Sequence, residues 1–221
     1  MKLIDGVYVY PWTNMMENNC NTYVLQGEKL ILIDPGLQRY VPDILAAMKQ
    51  DGLNPDDIST VINTHSHPDH MDGDTYFFDK DVKFTMHEEE EKFLKGIGKE
   101  FFSMFGLGEP QYRVDFYSKE GETTINDLKL QIYLTPGHSP GSICVYWPEK
   151  KVLVTGDVVF NGSIGRTDFP GGSGPVLKES IEKIAPLDAS YLLPGHNEIV
   201  EGEQAIKNNF DFIKRSFFSH L

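Results

Sequence analysis

The sequence predicts a chain that mixes strands and helices, α/β or α+β, and three observations carry that expectation. Short apolar, β-branched runs recur along it, as at Val7-Tyr10, Asn21-Leu25, Leu30-Ile33 and Thr60-Asn63. Between them lie apolar stripes at helical spacing, clearest at Val41, Ile44, Leu45 and Met48. Several of the strand-like runs end in a turn that carries a His or an Asp, the strand-end placement that mixed folds use for their sites.

In chain order, the first three runs are separated by Pro11, the Asn-rich segment 18–21 and Gly27, which predicts an antiparallel meander. The third ends in Asp34-Pro35-Gly36, whose Asp either starts the turn or hydrogen-bonds a metal-binding histidine. The stripe from Val41 to Met48 follows, with Pro42 in the first turn and Gly52 past the end, a helix that packs one face on the sheet.

The run Thr60-Asn63 leads into Thr64-His65-Ser66-His67-Pro68-Asp69-His70, three imidazoles and a carboxylate within six residues. Pro68 is expected to keep a helix from starting inside the cluster, so its side chains sit on a loop. Side chains two apart face the same side, so His65 and His67 can share one ion while Asp69 and His70 turn toward a neighbouring one. Imidazole and carboxylate donors suit zinc, iron or manganese, and the absence of cysteine argues against a closed structural zinc site.

Lys83-Met86 reads as a strand, and Glu88 to Glu91 open a helix whose acidic start suits its N-terminus and a solvated face. His87 stands apart from any ligand spacing and reads as an ordinary loop histidine. Gly96, Gly98, Gly106 and Gly108 bracket Phe101, Phe102, Met104, Phe105 and Leu107, which suits either a short core helix or a mobile apolar lid.

Beyond Asp127, three apolar runs lead to Pro136-Gly137-His138, Gly156-Asp157 and Pro194-Gly195-His196. With Val61 to His65 that makes four strands ending at a possible metal ligand. Leu177, Ile181 and Ile184 form one helical stripe, stopped by Pro186, and Ile206, Phe210, Ile213 and Phe217 form another.

Composition limits the function classes. Twenty basic against 33 acidic residues leave a net charge of −13 with no basic block, which argues against nucleic-acid and anionic-membrane partners and for a small-molecule substrate. No apolar run approaches a bilayer span and the start lacks an apolar leader, so a cytoplasmic location is expected. Cys20 and Cys144 are expected to be buried free thiols, and neither is a candidate nucleophile. At 221 residues, the chain is expected to form a single domain, 1–221.

His65, His67, Asp69 and His70, followed by His138, Asp157 and His196, give a pattern that resembles the metallo-β-lactamase-fold superfamily over nearly the whole chain. The resemblance implies an α+β fold, a four-layer αβ/βα sandwich with the site at one edge of two facing sheets. It also implies that His65, His67 and His138 bind a first metal, that Asp69, His70 and His196 bind a second, and that Asp157 bridges them. The stretch from Gly156 to Phe160 and the run Gly165-Arg166-Thr167-Asp168-Phe169-Pro170-Gly171-Gly172 look like the glyoxalase II and persulfide dioxygenase branch, in its short bacterial form. Twenty-five residues follow His196, too few for the C-terminal helical domain of long glyoxalase II.

The expected activity is that of a dinuclear-metal hydrolase, with two divalent ions, zinc first and iron or manganese as alternatives. A hydroxide shared by the two cations would attack a thioester such as S-lactoylglutathione, with Asp69 and Asp157 as catalytic residues that hold and orient it. The alternatives are a persulfide dioxygenase with one iron on His65, His138 and Asp157, and a lactonase. Arg166 either binds a substrate carboxylate or pairs with Asp168 to fix its loop.

Overall fold

The structure is a computed structural model, which describes residues 1–14 and 16–221. Fifteen strands occur among them: β1 (Lys2–Ile4), β2 (Val7–Tyr10), β3 (Thr22–Gln26), β4 (Leu30–Ile33), β5 (Ile58–Ile62), β6 (Lys83–Met86), β7 (Phe116–Tyr117), β8 (Gly121–Ile125), β9 (Leu128–Leu134), β10 (Ile143–Trp147), β11 (Val152–Gly156), β12 (Val159–Phe160), β13 (Ser163–Ile164), β14 (Tyr191–Pro194) and β15 (Val200–Glu201). The first seven form one sheet in chain order, antiparallel through β4 and parallel from β4 to β7. A second sheet runs β15-β14-β11-β10-β9-β8, with β11 and β14 parallel, while β12 and β13 pair as a separate hairpin.

Period-2 alternation explains why the sheets face each other. Val7, Val9, Ile31 and Ile33 point into one buried cluster with Leu130, Ile132, Val145, Val152 and Val154 of the second sheet. The intervening Tyr8, Tyr10, Leu30 and Leu32 point the other way, onto Val41, Leu45 and Met48 of helix α1 (Val41–Gln50). Strands buried on both faces read as continuous apolar runs for this reason.

Helix α2 (Pro68–Met71) follows β5, and α3 (Glu88–Lys95) and α4 (Glu100–Met104) follow β6. Helices α5 (Gly174–Ile184) and α6 (Glu203–Phe217) bury Leu177, Ile181, Ile184, Ile206, Phe210 and Ile213 against Cys144, Tyr146, Leu153 and Leu192 on the outer face of the second sheet. The layers are therefore helix, sheet, sheet, helix, as the resemblance implies. No helix among the described residues is long and apolar enough to cross a membrane.

Two expectations need correction. Pro68 starts a helix instead of preventing one: it occupies the first helical position, where its missing N–H has no partner to lose, and carries Asp69 and His70 into α2. The acidic start of α3 is a solvated face only in its first half, Glu88 and Glu89, because Glu90 is fully buried and Glu91 nearly so. His87 does cap that helix, its Nδ1 accepting from the Glu89 N–H at 3.1 Å.

Candidate metal centre

Strands β5, β9, β11 and β14 all deliver their C-terminal ends to one edge of the sandwich, and the turns that follow bring His65 to His70, His138, Asp157 and His196 together. All seven sequence-predicted His and Asp residues meet there, and all but the half-buried His196 are buried. Gly195 makes the closest approach possible. A Cβ at that position would lie 2.2 Å from Asp157 Oδ1 and 2.8 Å from His70 Cε1, so any side chain there would displace the cluster.

The donor atoms fall into overlapping groups. His67 Nδ1 lies 3.1 Å from His65 Nε2 and 2.9 Å from His138 Nε2. His70 Nε2 and His196 Nε2 are 3.4 Å apart, and Asp69 Oδ2 is 3.3 Å from His196 Nε2. Asp157 reaches both groups, with Oδ1 3.3 Å from His70 Nε2 and Oδ2 3.5 Å from His138 Nε2 and 3.4 Å from His196 Nε2. Ligand atoms about 2 Å from a tetrahedral ion lie roughly 3.3 Å from one another, so these spacings suit metal ions.

The atoms behind the imidazoles support the same reading. His138 Nδ1 donates to the Arg166 carbonyl at 2.8 Å, His70 Nδ1 to Asp34 Oδ2 at 2.9 Å, and His65 Nδ1 to Thr64 Oγ1 at 3.1 Å. With Nδ1 of each ring engaged by these partners, Nε2 is the nitrogen turned toward the cluster. Asp34 is thus more than a turn-starter, and the other of its two sequence readings is the one the structure displays.

Electrostatics divides the cluster. Burial, reinforced by the other histidines, holds His65 well below the usual imidazole range and takes His67 down to about 3, so both are neutral. Burial opposes charge on His70 and His196 too, but Cys20, Asp157 and Asp34 together raise His70 well above its usual value, and Asp157 raises His196 to about 10. Asp157 stays ionised: burial disfavours its charge, and His196 and His70 overcome that.

Sequence reasoning missed two supports. Glu90, fully buried, ties the two ligand-bearing turns together. Its Oε1 accepts from the Ser66 N–H at 2.9 Å and Ser66 Oγ at 2.7 Å, and its Oε2 from Ser139 Oγ and the Gly141 N–H, both at 2.8 Å. Its place in an acidic run hid it, since only tertiary packing separates it from the exposed Glu88 and Glu89. Asn18 donates to Asp69 Oδ2 at 2.8 Å from across the chain, and nothing in its Asn-rich surroundings singles it out.

His67, Asp69, His138, Asp157 and His196 open into a cavity of about 470 Å³, whose other walls are Asn18, Phe101, Phe105, Phe160, Ile164, Arg166 and Phe169. Arg166 lines it with its guanidinium turned to Asp168, at 2.8 and 2.7 Å. In the segment between Gly96 and Gly108, Phe102 packs with Met71, Met86 and Leu94 as a core residue, while Phe101 and Phe105 wall the cavity.

Comparison with known proteins gives the same picture. A family model described as the metallo-beta-lactamase superfamily matches residues 15–196. A probable metallo-hydrolase of Methanocaldococcus jannaschii is 35% identical over 81% of this chain and 88% of its own length. The hydroxyacylglutathione hydrolase GloC of Haemophilus influenzae is 31% identical over 87% of this chain and 92% of its own. Among solved structures, the B3 metallo-beta-lactamase BLEG-1 superposes with a TM-score of 0.77 at 26% identity, covering 96% of this chain and 99% of that one. TTHA1623, solved in a di-iron-bound form, superposes with a TM-score of 0.74 at 26% identity over 95% and 98% of the two chains.

Proposed function

The chain belongs to the metallo-beta-lactamase superfamily and is a metallo-hydrolase of it, and we propose that the bond it cleaves is a thioester. The observation that carries this reading is the carboxylate of Asp157 set between two groups of His and Asp, each complete enough to hold one ion. His65, His67 and His138 would hold the first and Asp69, His70 and His196 the second, with zinc suited to both and iron an alternative. Two divalent ions held by these residues would supply Lewis acidity and would acidify water toward neutrality.

The remaining work falls to the chain's own residues. Asp157 and Asp69 orient the attacking water by accepting its hydrogen bonds, and Asn18 keeps Asp69 turned to the cluster. A departing thiolate, with a conjugate-acid pKa near ~8.5, leaves without a dedicated general acid. Covalent catalysis by cysteine has no agent here: Cys20 and Cys144 are free but buried, which pushes both thiols up to about 12. Resemblance to GloC supports hydroxyacyl thioesters as a substrate class, and the shared ligand set would equally serve a lactone.

A thiol-release assay and an oxygen electrode, run together on S-lactoylglutathione and glutathione persulfide, test the reading. We expect thiol release from the thioester with no oxygen uptake. Iron-dependent oxygen uptake with the persulfide and negligible thiol release would assign a dioxygenase, and turnover confined to lactones a lactonase.

A further inference from the structure

Beyond the His and Asp side chains, the cavity wall is largely aromatic. Phe101 stands 4.7 Å from the His67 ring and 5.2 Å from Phe169, and Phe160 stands 5.8 Å from His196, so apolar surface continues to the cluster itself. Phe105 extends the same wall outward.

Apart from its histidines, the cavity's lining has one basic side chain, Arg166, and its charge is already engaged. Two of its nitrogens grip Asp168 in a fork, and its guanidinium carbon lies 3.5 Å from the centre of the Phe169 ring. An arriving anion would find that fork occupied, in a protein of net charge −13. The thioester carbonyl must lie against the cluster, which puts the first carbons of its acyl group within reach of the wall beside it.

We propose that the cavity takes an uncharged, apolar acyl group, and that Asp168 is a specificity-determining residue which disfavours anionic acyl groups by occupying Arg166. The proposal rests on the thioester reading for its substrate class. The pair is exposed, so breaking it costs the fold little.

The test uses the purified, metal-loaded protein and N-acetylcysteamine thioesters, which share one uncharged leaving group. From acetyl to butyryl, kcat/KM should rise about three- to fourfold per added methylene. Succinyl, close to butyryl in length but charged, should fall roughly tenfold or more below it. Phe105→Ala should flatten the methylene gradient, and Asp168→Asn should raise the succinyl-to-butyryl ratio by about fivefold or more, on the scale of one charge-assisted bond. A flat gradient, a preference for succinyl, or a ratio unmoved in Asp168→Asn would overturn the proposal. If no thioester is cleaved, dissociation constants of hexanoate, butyrate and succinate by ligand-observed NMR decide the matter separately. Tighter binding of the longer monoacids, with succinate weakest, would then uphold the cavity's preference while ending the thioester reading, and equal binding would end both.

Discussion

Asp34 holds its Oδ2 2.9 Å from Nδ1 of His70, with both side chains essentially sealed from solvent. The same carboxylate accepts from the Thr64 N–H and Thr64 Oγ1, each at 2.7 Å, and Thr64 Oγ1 in turn meets His65 Nδ1. One carboxylate therefore orients an imidazole in each half of the cluster. Asp34→Asn should weaken zinc binding about 10–100-fold, as loss of such outer partners does. Chelator competition reads this directly, and an unchanged dissociation constant would remove Asp34 from the role.

Glu90→Gln places an amide donor where an oxygen now accepts from two donors. A buried donor left without an acceptor costs about 1–3 kcal/mol, and the variant should melt several degrees lower, roughly 2–4 °C per kcal/mol for a chain of this size. Because Ser66 and Ser139 adjoin His65, His67 and His138, zinc retention should fall in step. A melting temperature and metal affinity equal to those of the parent would show that the turns do not depend on this brace.

Asp157→Ala removes a carboxylate that reaches both groups. Elemental analysis should find close to two metals per chain in the parent and fewer in the variant, with turnover down by orders of magnitude. Near-normal turnover in the variant would refute the shared position.

Much of this was legible in the sequence because it depends on local spacing. The four strand ends and all seven His and Asp positions follow from short runs with a turn after each. Pro68 misled because proline forbids a helix interior and favours a helix start, and the residues around it do not say which applies. Glu90 was invisible for a different reason: the partners that make it a buried acceptor, Ser66, Ser139 and Gly141, lie in other parts of the chain. Gly141 lets them meet, since a Cβ there would stand 2.2 Å from the Glu90 backbone nitrogen. Asn18 likewise acts only through a contact 51 residues away.

The histidines set opposite pH limits on the metal-free protein. His67, lowered from 6.5 to about 3 mainly by burial, favours folding fully above pH 6.5, and its contribution is lost as pH falls toward 3. His196, raised to about 10 by Asp157 against the pull of burial, contributes fully below 6.5 and loses that contribution as pH rises through 10. Chemical denaturation of metal-free protein from pH 4 to pH 10 should therefore show this site's contribution greatest near pH 6.5. Metal should flatten the alkaline limb, because an ion replaces the proton on His196. An alkaline limb identical with and without metal would contradict this.

The aromatic wall offers a dynamic test. Amides between Gly96 and Gly108 should exchange faster than those of β5 in the free protein and slow when a carboxylate product is bound, if Phe101 and Phe105 close on it. Equal protection in both states would make α4 a fixed wall.

His65, His67, Asp69 and His70 follow a strand of the first sheet, whereas His138, Asp157 and His196 hang from the second. Ions held by both sets would act as a clasp across the open edge of the sandwich, tying together segments far apart in the chain. At a free concentration a thousandfold above its dissociation constant, one such ion adds about 4 kcal/mol to the folded state. The two sheets could then part along that edge only after the clasp was released, so chelation should expose the inter-sheet core to proteases well before it unravels either sheet.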